Sequence, residues 1–326
     1  MKSQKRITII TAIALLVMLA LNNITYATSS NYAEEDYKTL LQDYMILKIK
    51  NEALNDDKAK LEQRIKEMER YADFLGRIVR QGEANQVPVL LYHHILPKDD
   101  LEGYRWNNND SVVSLESFQA QMKYLKDNNY YTATLKDLER FIKGEQKLPK
   151  KTVVITFDDG YLSNLVHAYP VMKEYGFKGT IFVIGDSEKR EKEEYDPATT
   201  QRIYLPEAEE YSDVFEYGCH TYDFHFIENG QTMLEVLDKE SIKEDLEKSK
   251  KLLNATAIAY PFGKYNETTI EAVQELGYTL GFTVKSDYVV PKMSLYEIPR
   301  FIIGPSTPME EFINIVSKHP SSQIRF

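Results

Sequence analysis

From Pro88 onward the sequence alternates short apolar runs with stretches of helical periodicity, and few architectures accept that alternation. Residues 89–92, 153–157, 181–184, 215–219, 257–260, 280–284 and 298–303 read as strands. Between them 115–128, 164–175, 237–253 and 267–276 read as helices, the first with Phe118, Met122 and Leu125 on one face. Strands that alternate with helices form parallel βαβ units, so the fold class is α/β, either a (β/α) barrel or a doubly wound sheet. Residues 186–216 are charged and aperiodic and read as a long loop with a short helix. Parallel strands bring their C-terminal ends to one face, and chemistry is expected just after them.

The front of the chain differs in texture. Lys2, Lys5 and Arg6 precede an uncharged apolar run from Ile7 to Leu21, the pattern of an export signal. The run is shorter than the roughly 20 residues of a full membrane span. Thr25 and Ala27 allow cleavage after Ala27, and retention as a membrane anchor is the alternative. Residues 31–84 hold no proline, and Leu47, Leu54, Leu61, Met68 and Leu75 fall seven apart. That predicts a long N-terminal helix, either a coiled coil capable of self-association or a spacer; the second heptad column is broken by Lys50, Asp57 and Arg64. The predicted organisation is 1–27 signal peptide or anchor, 28–86 helical spacer and 87–326 catalytic domain. With export, the lone Cys219 excludes an intramolecular disulfide. A formal net charge of −10 argues against a nucleic-acid partner.

Two clusters carry the chemistry. Thr156-Phe-Asp-Asp-Gly160 ends a strand with adjacent carboxylates, which face opposite ways unless the chain bends, as Gly160 permits. His220-Thr-Tyr-Asp-Phe-His225 follows another strand. Two histidines five apart do not share a helix face, so a loop must bring the imidazoles together. Two His and one Asp make a three-ligand N/O site with open positions, the set preferred by catalytic zinc. His167 reads as structural and Cys219 as a small buried hydrophobe, while Trp106 is either a sugar platform or ordinary packing.

In order, Thr156-Phe-Asp-Asp-Gly160, His220-Thr to His225 and Tyr260-Pro-Phe-Gly263 resemble the motifs of the NodB-homology polysaccharide deacetylases over roughly residues 87–320. The histidine spacing of five, and the Tyr92-His93-His94-Ile95 strand end, resemble the circularly permuted branch that acts on poly-N-acetylglucosamine. The resemblance implies a barrel-like deacetylase domain, with Asp159, His220 and His225 holding a divalent metal: zinc first, with nickel, cobalt or iron open. It also implies Asp158 as general base, the Phe262 N–H as oxyanion donor, and a histidine acid that protonates the leaving amine, for which His93 is favoured over His94 because adjacent strand residues face opposite ways. Two departures stand out. Ala259 occupies the place of the motif arginine, for which Arg300 is the candidate replacement, and no C-terminal Leu-His motif is present, since His319 lies in a different context. The expected partner is an N-acetylated amino-sugar polysaccharide met outside the cell. The rival readings are an O-acetyl esterase on the same metal site and a non-catalytic surface protein that works through its front helix.

Overall fold

The computed structural model describes residues 31–53, 58–104, 106 and 109–318. The export signal, its cleavage site and His319 fall outside them. The chain divides into two compact units, one reaching to Ala84 and taking in Lys147–Lys150, the other holding the rest from Asn85. No helix of the described residues is long and apolar enough to cross a membrane.

The first unit corrects the single long helix. Residues Asn31–Ala53 and Lys58–Gln81 form two helices that pack on each other, and the Tyr44 hydroxyl donates to Glu69 Oε1 at 3.0 Å. Residues 54–57 lie outside the described residues, and the heptad column from Leu47 to Leu75 is divided between the two helices. The unit also contains an antiparallel bridge between Glu83 and Pro149.

In the second unit eight parallel strands form one sheet: β1 (Val89–Tyr92), β2 (Tyr131–Thr132), β3 (Thr152–Phe157), β4 (Gly179–Val183), β5 (Phe215–Cys219), β6 (Ala257–Ala259), β7 (Leu280–Phe282) and β8 (Phe301–Ile302). The order is β7-β6-β5-β4-β3-β1-β8, with β2 beside the start of β3. All six residues of β3 are buried, as expected of a parallel strand covered on both faces. The core around it takes Leu90 and Tyr92 from β1, Ile155 and Phe157 from β3, Ile181 and Val183 from β4, and Phe118, Met122 and Leu125 from helix Leu115–Asp127. Between 129 and 151, where the apolar periodicity predicts no element, helix Leu135–Lys143 forms. Its signals are local: a Thr134/Asp137 capping box, a left-handed Gly144 at the C-cap, and buried Leu135, Leu138, Phe141 and Ile142.

One segment closes the curled sheet. Ile298 bridges to Phe282 of β7 in parallel, and three residues later Phe301 pairs with Leu90 of β1, so residues 298–302 touch both edges. Arg300 sits between these two pairings with its side chain fully buried. Because the strands run in parallel, His93, Asp158, His220 and Tyr260 each follow a strand C-terminus on the same face.

If the second unit folds independently, residues 85–326 expressed alone should give a mixed α/β circular dichroism spectrum and one cooperative thermal transition. An unfolded product would mean that the helical unit is required for the barrel.

Candidate active site

Three of the strand ends turn into the site through a non-glycine residue in the left-handed region: Asp159 after β3 (φ 72), Thr221 after β5 (φ 66) and Phe262 after β6 (φ 58). Each costs on the order of 1–3 kcal/mol and persists only where surrounding bonds over-determine it. Around Asp159 three such bonds converge. The Asp158 N–H donates to the Tyr92 carbonyl at 2.9 Å, the Ile203 N–H to the Gly160 carbonyl at 2.9 Å, and Arg202 Nη1 to the Asp159 carbonyl at 2.5 Å. The bend that the sequence assigns to Gly160 is thus shared by Asp159 itself, and Gly160 follows it at φ 68. The turn separates the two carboxylates into different surroundings.

Asp159 Oδ1 lies 3.4 Å from His220 Nε2 and 3.1 Å from His225 Nε2, and one ligand atom from each residue lies within 4.8 Å of the others. His220 Nδ1 is 2.8 Å from the Ala259 carbonyl, which can only accept, so that nitrogen carries the proton and Nε2 presents a bare lone pair in the neutral ring. Asp159 Oδ1 is buried and has no hydrogen bond of acceptable geometry. An orphaned carboxylate oxygen between two imidazole nitrogens is costly in an apolar setting and suits a cation. Burial would raise the Asp159 carboxyl, but hydrogen bonds and charge from the two imidazoles in their protonated form outweigh that and hold it well below the usual range, whereas the neutral rings leave the same oxygen for a cation. The donor set of two imidazole nitrogens and one carboxylate oxygen fits a divalent transition ion.

Asp158 faces elsewhere. Arg300 Nη1 donates to its Oδ1 and Nη2 to its Oδ2, both at 2.7 Å. The same guanidinium donates through Nε to the Thr283 carbonyl at 2.9 Å and through Nη1 to Thr156 Oγ1 at 3.2 Å. Burial pushes the Asp158 carboxyl up, and the charge of Arg300, the neighbouring His220 and the paired hydrogen bonds reverse this, leaving it lowered. No arginine stands at 259, whose carbonyl is engaged by His220, and the guanidinium beside the carboxylate arrives from the closing segment.

The two neighbouring histidines part company. His93 is partly exposed and interacts electrostatically with Asp158, Asp159, Arg300 and His220; burial is the main cause that lowers its pKa. His94 turns into the fold, where Nδ1 meets Ser163 Oγ at 3.0 Å and the ring stacks on Tyr161 with centroids 3.5 Å apart. Burial, helped by the charge of Arg202, pushes His94 down to about 3. Phe262 is exposed, with its ring 4.7 Å from that of His225. The turn bonds of its motif use the Gly263 and Lys264 amides, leaving out that of Phe262.

The remaining sequence candidates lie outside this cluster. Burial pushes the Cys219 thiol up to about 11, so it stays protonated. His167 Nε2 pairs with the Tyr195 hydroxyl at 3.0 Å, and Trp106 packs against His94 while its Nε1 donates to the Pro197 carbonyl at 2.8 Å. Arg202 is a site residue that sequence reasoning missed. Its Nη1 is 3.9 Å from Asp159 Oδ2 and its guanidinium lies 4.3 Å from the Tyr161 ring centroid. A lone arginine in an aperiodic loop carries no signal of that placement.

The comparisons agree with this geometry. Residues 145–281 match the family model described as polysaccharide deacetylase. A Bacillus subtilis protein named as a polysaccharide deacetylase, YxkH, is 30% identical over 259 residues, covering 76% of this chain and 82% of the relative. The poly-beta-1,6-N-acetyl-D-glucosamine N-deacetylase of Staphylococcus epidermidis is 29% identical over 241 residues, 68% of this chain and 80% of its own. Among solved structures, the Streptococcus pyogenes deacetylase PplD in complex with acetate superposes with a TM-score of 0.60 at 26% identity, over 72% of this chain and 99% of that one. Two parallel-strand ends that place an Asp-Asp turn opposite a His-His loop, on a barrel that aligns with these proteins over most of its length, make this chain a member of the polysaccharide deacetylase family.

Proposed function

We propose that the chain is an exported, metal-dependent N-deacetylase of an N-acetylhexosamine polysaccharide, with poly-β-1,6-N-acetylglucosamine as the first substrate to test and zinc as the first metal. One observation carries the reading: a buried, orphaned Asp159 Oδ1 between two imidazole nitrogens, next to a second carboxylate held ionised by a buried arginine. The choice of polymer rests on the Staphylococcus epidermidis relative, and the acetate held by the Streptococcus pyogenes deacetylase supports deacetylation without naming a polymer. Export rests on the basic and apolar leader between Met1 and Leu21. On this reading the leader either is removed or tethers the helical unit to the membrane.

Asp159, His220 and His225 would hold the ion. Once bound, a divalent ion supplies Lewis acidity, which brings the pKa of a water towards ~7 and polarises a carbonyl oxygen. Asp158 is the group placed to accept the water proton. A carboxylate offers about four lone-pair directions and the Arg300 fork occupies two, so Asp158 is oriented without being saturated. Its lowered pKa keeps it ionised and therefore able to accept a proton. The free Phe262 amide would donate to the oxygen that gains charge as the amide carbon becomes tetrahedral. His93, half-buried beside Asp158 and His220, would deliver a proton to the departing nitrogen, and the burial that lowers its pKa makes its protonated form a readier donor. The products are acetate and a free amine on the sugar.

Acetate release measured beside amine titration tests the reaction. The proposal expects equal amounts of acetate and new amine; acetate without amine would move the chemistry to O-acetyl esters. The aspartates separate the roles. Asp159→Asn should lose metal affinity and recover part of its activity at raised zinc. Asp158→Asn should keep about one metal per chain by elemental analysis, melt within a few degrees of the parent and remain inactive at any zinc concentration. Metal loss in Asp158→Asn with retention in Asp159→Asn would exchange the two assignments.

His93→Ala should lower kcat by about 10² to 10⁴ while keeping its metal, as expected for loss of a proton donor. His94→Ala removes a stacked, buried ring and should act on the melting temperature more than on kcat. Equal kcat losses in the two variants would remove His93 from the acid role.

A further inference from the structure

The spacing of five between His220 and His225 imposes a mechanical constraint, because the four intervening residues must reverse direction and still return His225 Nε2 to the Asp159 oxygen. The loop starts from a fixed point: the His220 N–H donates to the Val183 carbonyl at 2.9 Å and its Nδ1 to the Ala259 carbonyl. Thr221 then turns in the left-handed region. From there the carbonyls and amides of the loop face different partners. The Thr221 and Tyr222 carbonyls accept from the Gly185 and Asp186 amides at 2.9 and 2.8 Å. The opposing amides, those of Tyr222 and Asp223, donate to Oδ1 and Oδ2 of Asp245, each at 2.7 Å. Asp245 sits inside helix Lys239–Leu253 and is buried, 5% exposed.

We infer that Asp245 is a positioning residue: its carboxylate clamps the Tyr222 and Asp223 amides and so sets where His225 meets His220 and Asp159. This rests on the metal-centre reading above and adds to it a residue that neither touches the ion nor belongs to the motifs. A carboxylate is the side chain that fits. It accepts on both oxygens, and both bonds are charge-assisted, whereas an amide would set its own N–H groups against a backbone N–H. A buried acid in the interior of an otherwise ordinary amphipathic helix also needs such partners. The other side of the loop is held as tightly. A Cβ on Gly185 would come within 2.9 Å of Tyr222 Cα and 2.6 Å of its Cδ2, so the loop backbone lies directly on that glycine. The ligand loop is gripped between Gly185 and Asp245, with the histidines at its two ends.

The test is cobalt(II) titration of the purified, metal-free full chain, followed by visible absorption, which reports both the dissociation constant and the ligand field. Asp245→Asn should raise the cobalt Kd about 10- to 100-fold and shift the absorption bands, the scale on which outer partners of metal ligands act. Gly185→Ala removes no donor or acceptor and should weaken cobalt in the same direction by pushing the loop from the opposite face. Leu246→Ala is the control for plain destabilisation. It empties a fully buried position on the same helix, so it should lower the melting temperature while leaving Kd and bands as in the parent. Parental Kd and bands in Asp245→Asn overturn the proposal whatever Gly185→Ala does, as does an equal weakening in Leu246→Ala at the same loss of melting temperature. If the parent chain itself takes up no cobalt, the metal-centre reading falls and the positioning role falls with it, an outcome distinct from the other two.

Discussion

A guanidinium with no access to water must find every partner inside the protein, and Arg300 finds them at the seam where the barrel closes. Its backbone belongs to the segment that bridges β7 and β1, while its side chain binds the Thr283 carbonyl, the Thr156 hydroxyl and both oxygens of Asp158. Closure of the sheet and orientation of the carboxylate are therefore one event. The pair is also mutually obligatory: a buried charge without its partner is strongly destabilising, typically by about 3–5 kcal/mol. The rings of Phe182 and Phe282, whose centroids lie 5.5 and 5.9 Å from the guanidinium carbon, complete the enclosure. This arrangement keeps Asp158 ionised at the end of β3 and leaves its neighbour Asp159 to serve a different purpose.

The division of labour between two adjacent aspartates follows from backbone geometry. In an extended strand they would point to opposite faces; here the chain leaves the strand at Asp159, so Asp158 is directed to Arg300 and Asp159 to the histidines. Thr221 and Phe262 turn two further strand ends in the same left-handed manner. Strain of this kind gathers where several chain segments must converge on one point, and the surrounding bonds from Tyr92, Val183, Ile203, Arg202 and Ala259 hold it in place.

Much of this was legible from the sequence, for physical reasons that differ by feature. His93, Asp158, Asp159, His220 and Tyr260 sit within two positions of apolar runs that read as buried strands, so their placement at one face follows from the parallel topology. The histidine loop was legible from spacing, because no regular element brings residues five apart to one point. Arg202 and Asp245 were not, since each acts on backbone groups tens of residues away and neither position breaks a local pattern. Helix Leu135–Lys143 carries its signals in a capping box and a C-terminal glycine, outside the apolar runs that mark the strands. At the front of the chain a regular heptad column reads as one helix, yet seven-residue spacing is equally compatible with two helices that pack on each other. Arg300 was inferred from a missing residue at 259, and its fork on Asp158 depends on a closure that local sequence does not encode.

The central claim is that Asp159, His220 and His225 are built as one cation seat while Asp158 stands beside it as a base. Anomalous diffraction at the zinc edge, from crystals of the zinc-loaded protein, addresses this without reference to any substrate. The account requires one strong peak per chain, within about 2.0–2.2 Å of a carboxylate oxygen of Asp159 and of Nε2 of both histidines, with Asp158 still paired to Arg300. A peak ligated by Asp158, or zinc bound elsewhere while these three residues stay unligated, would contradict it.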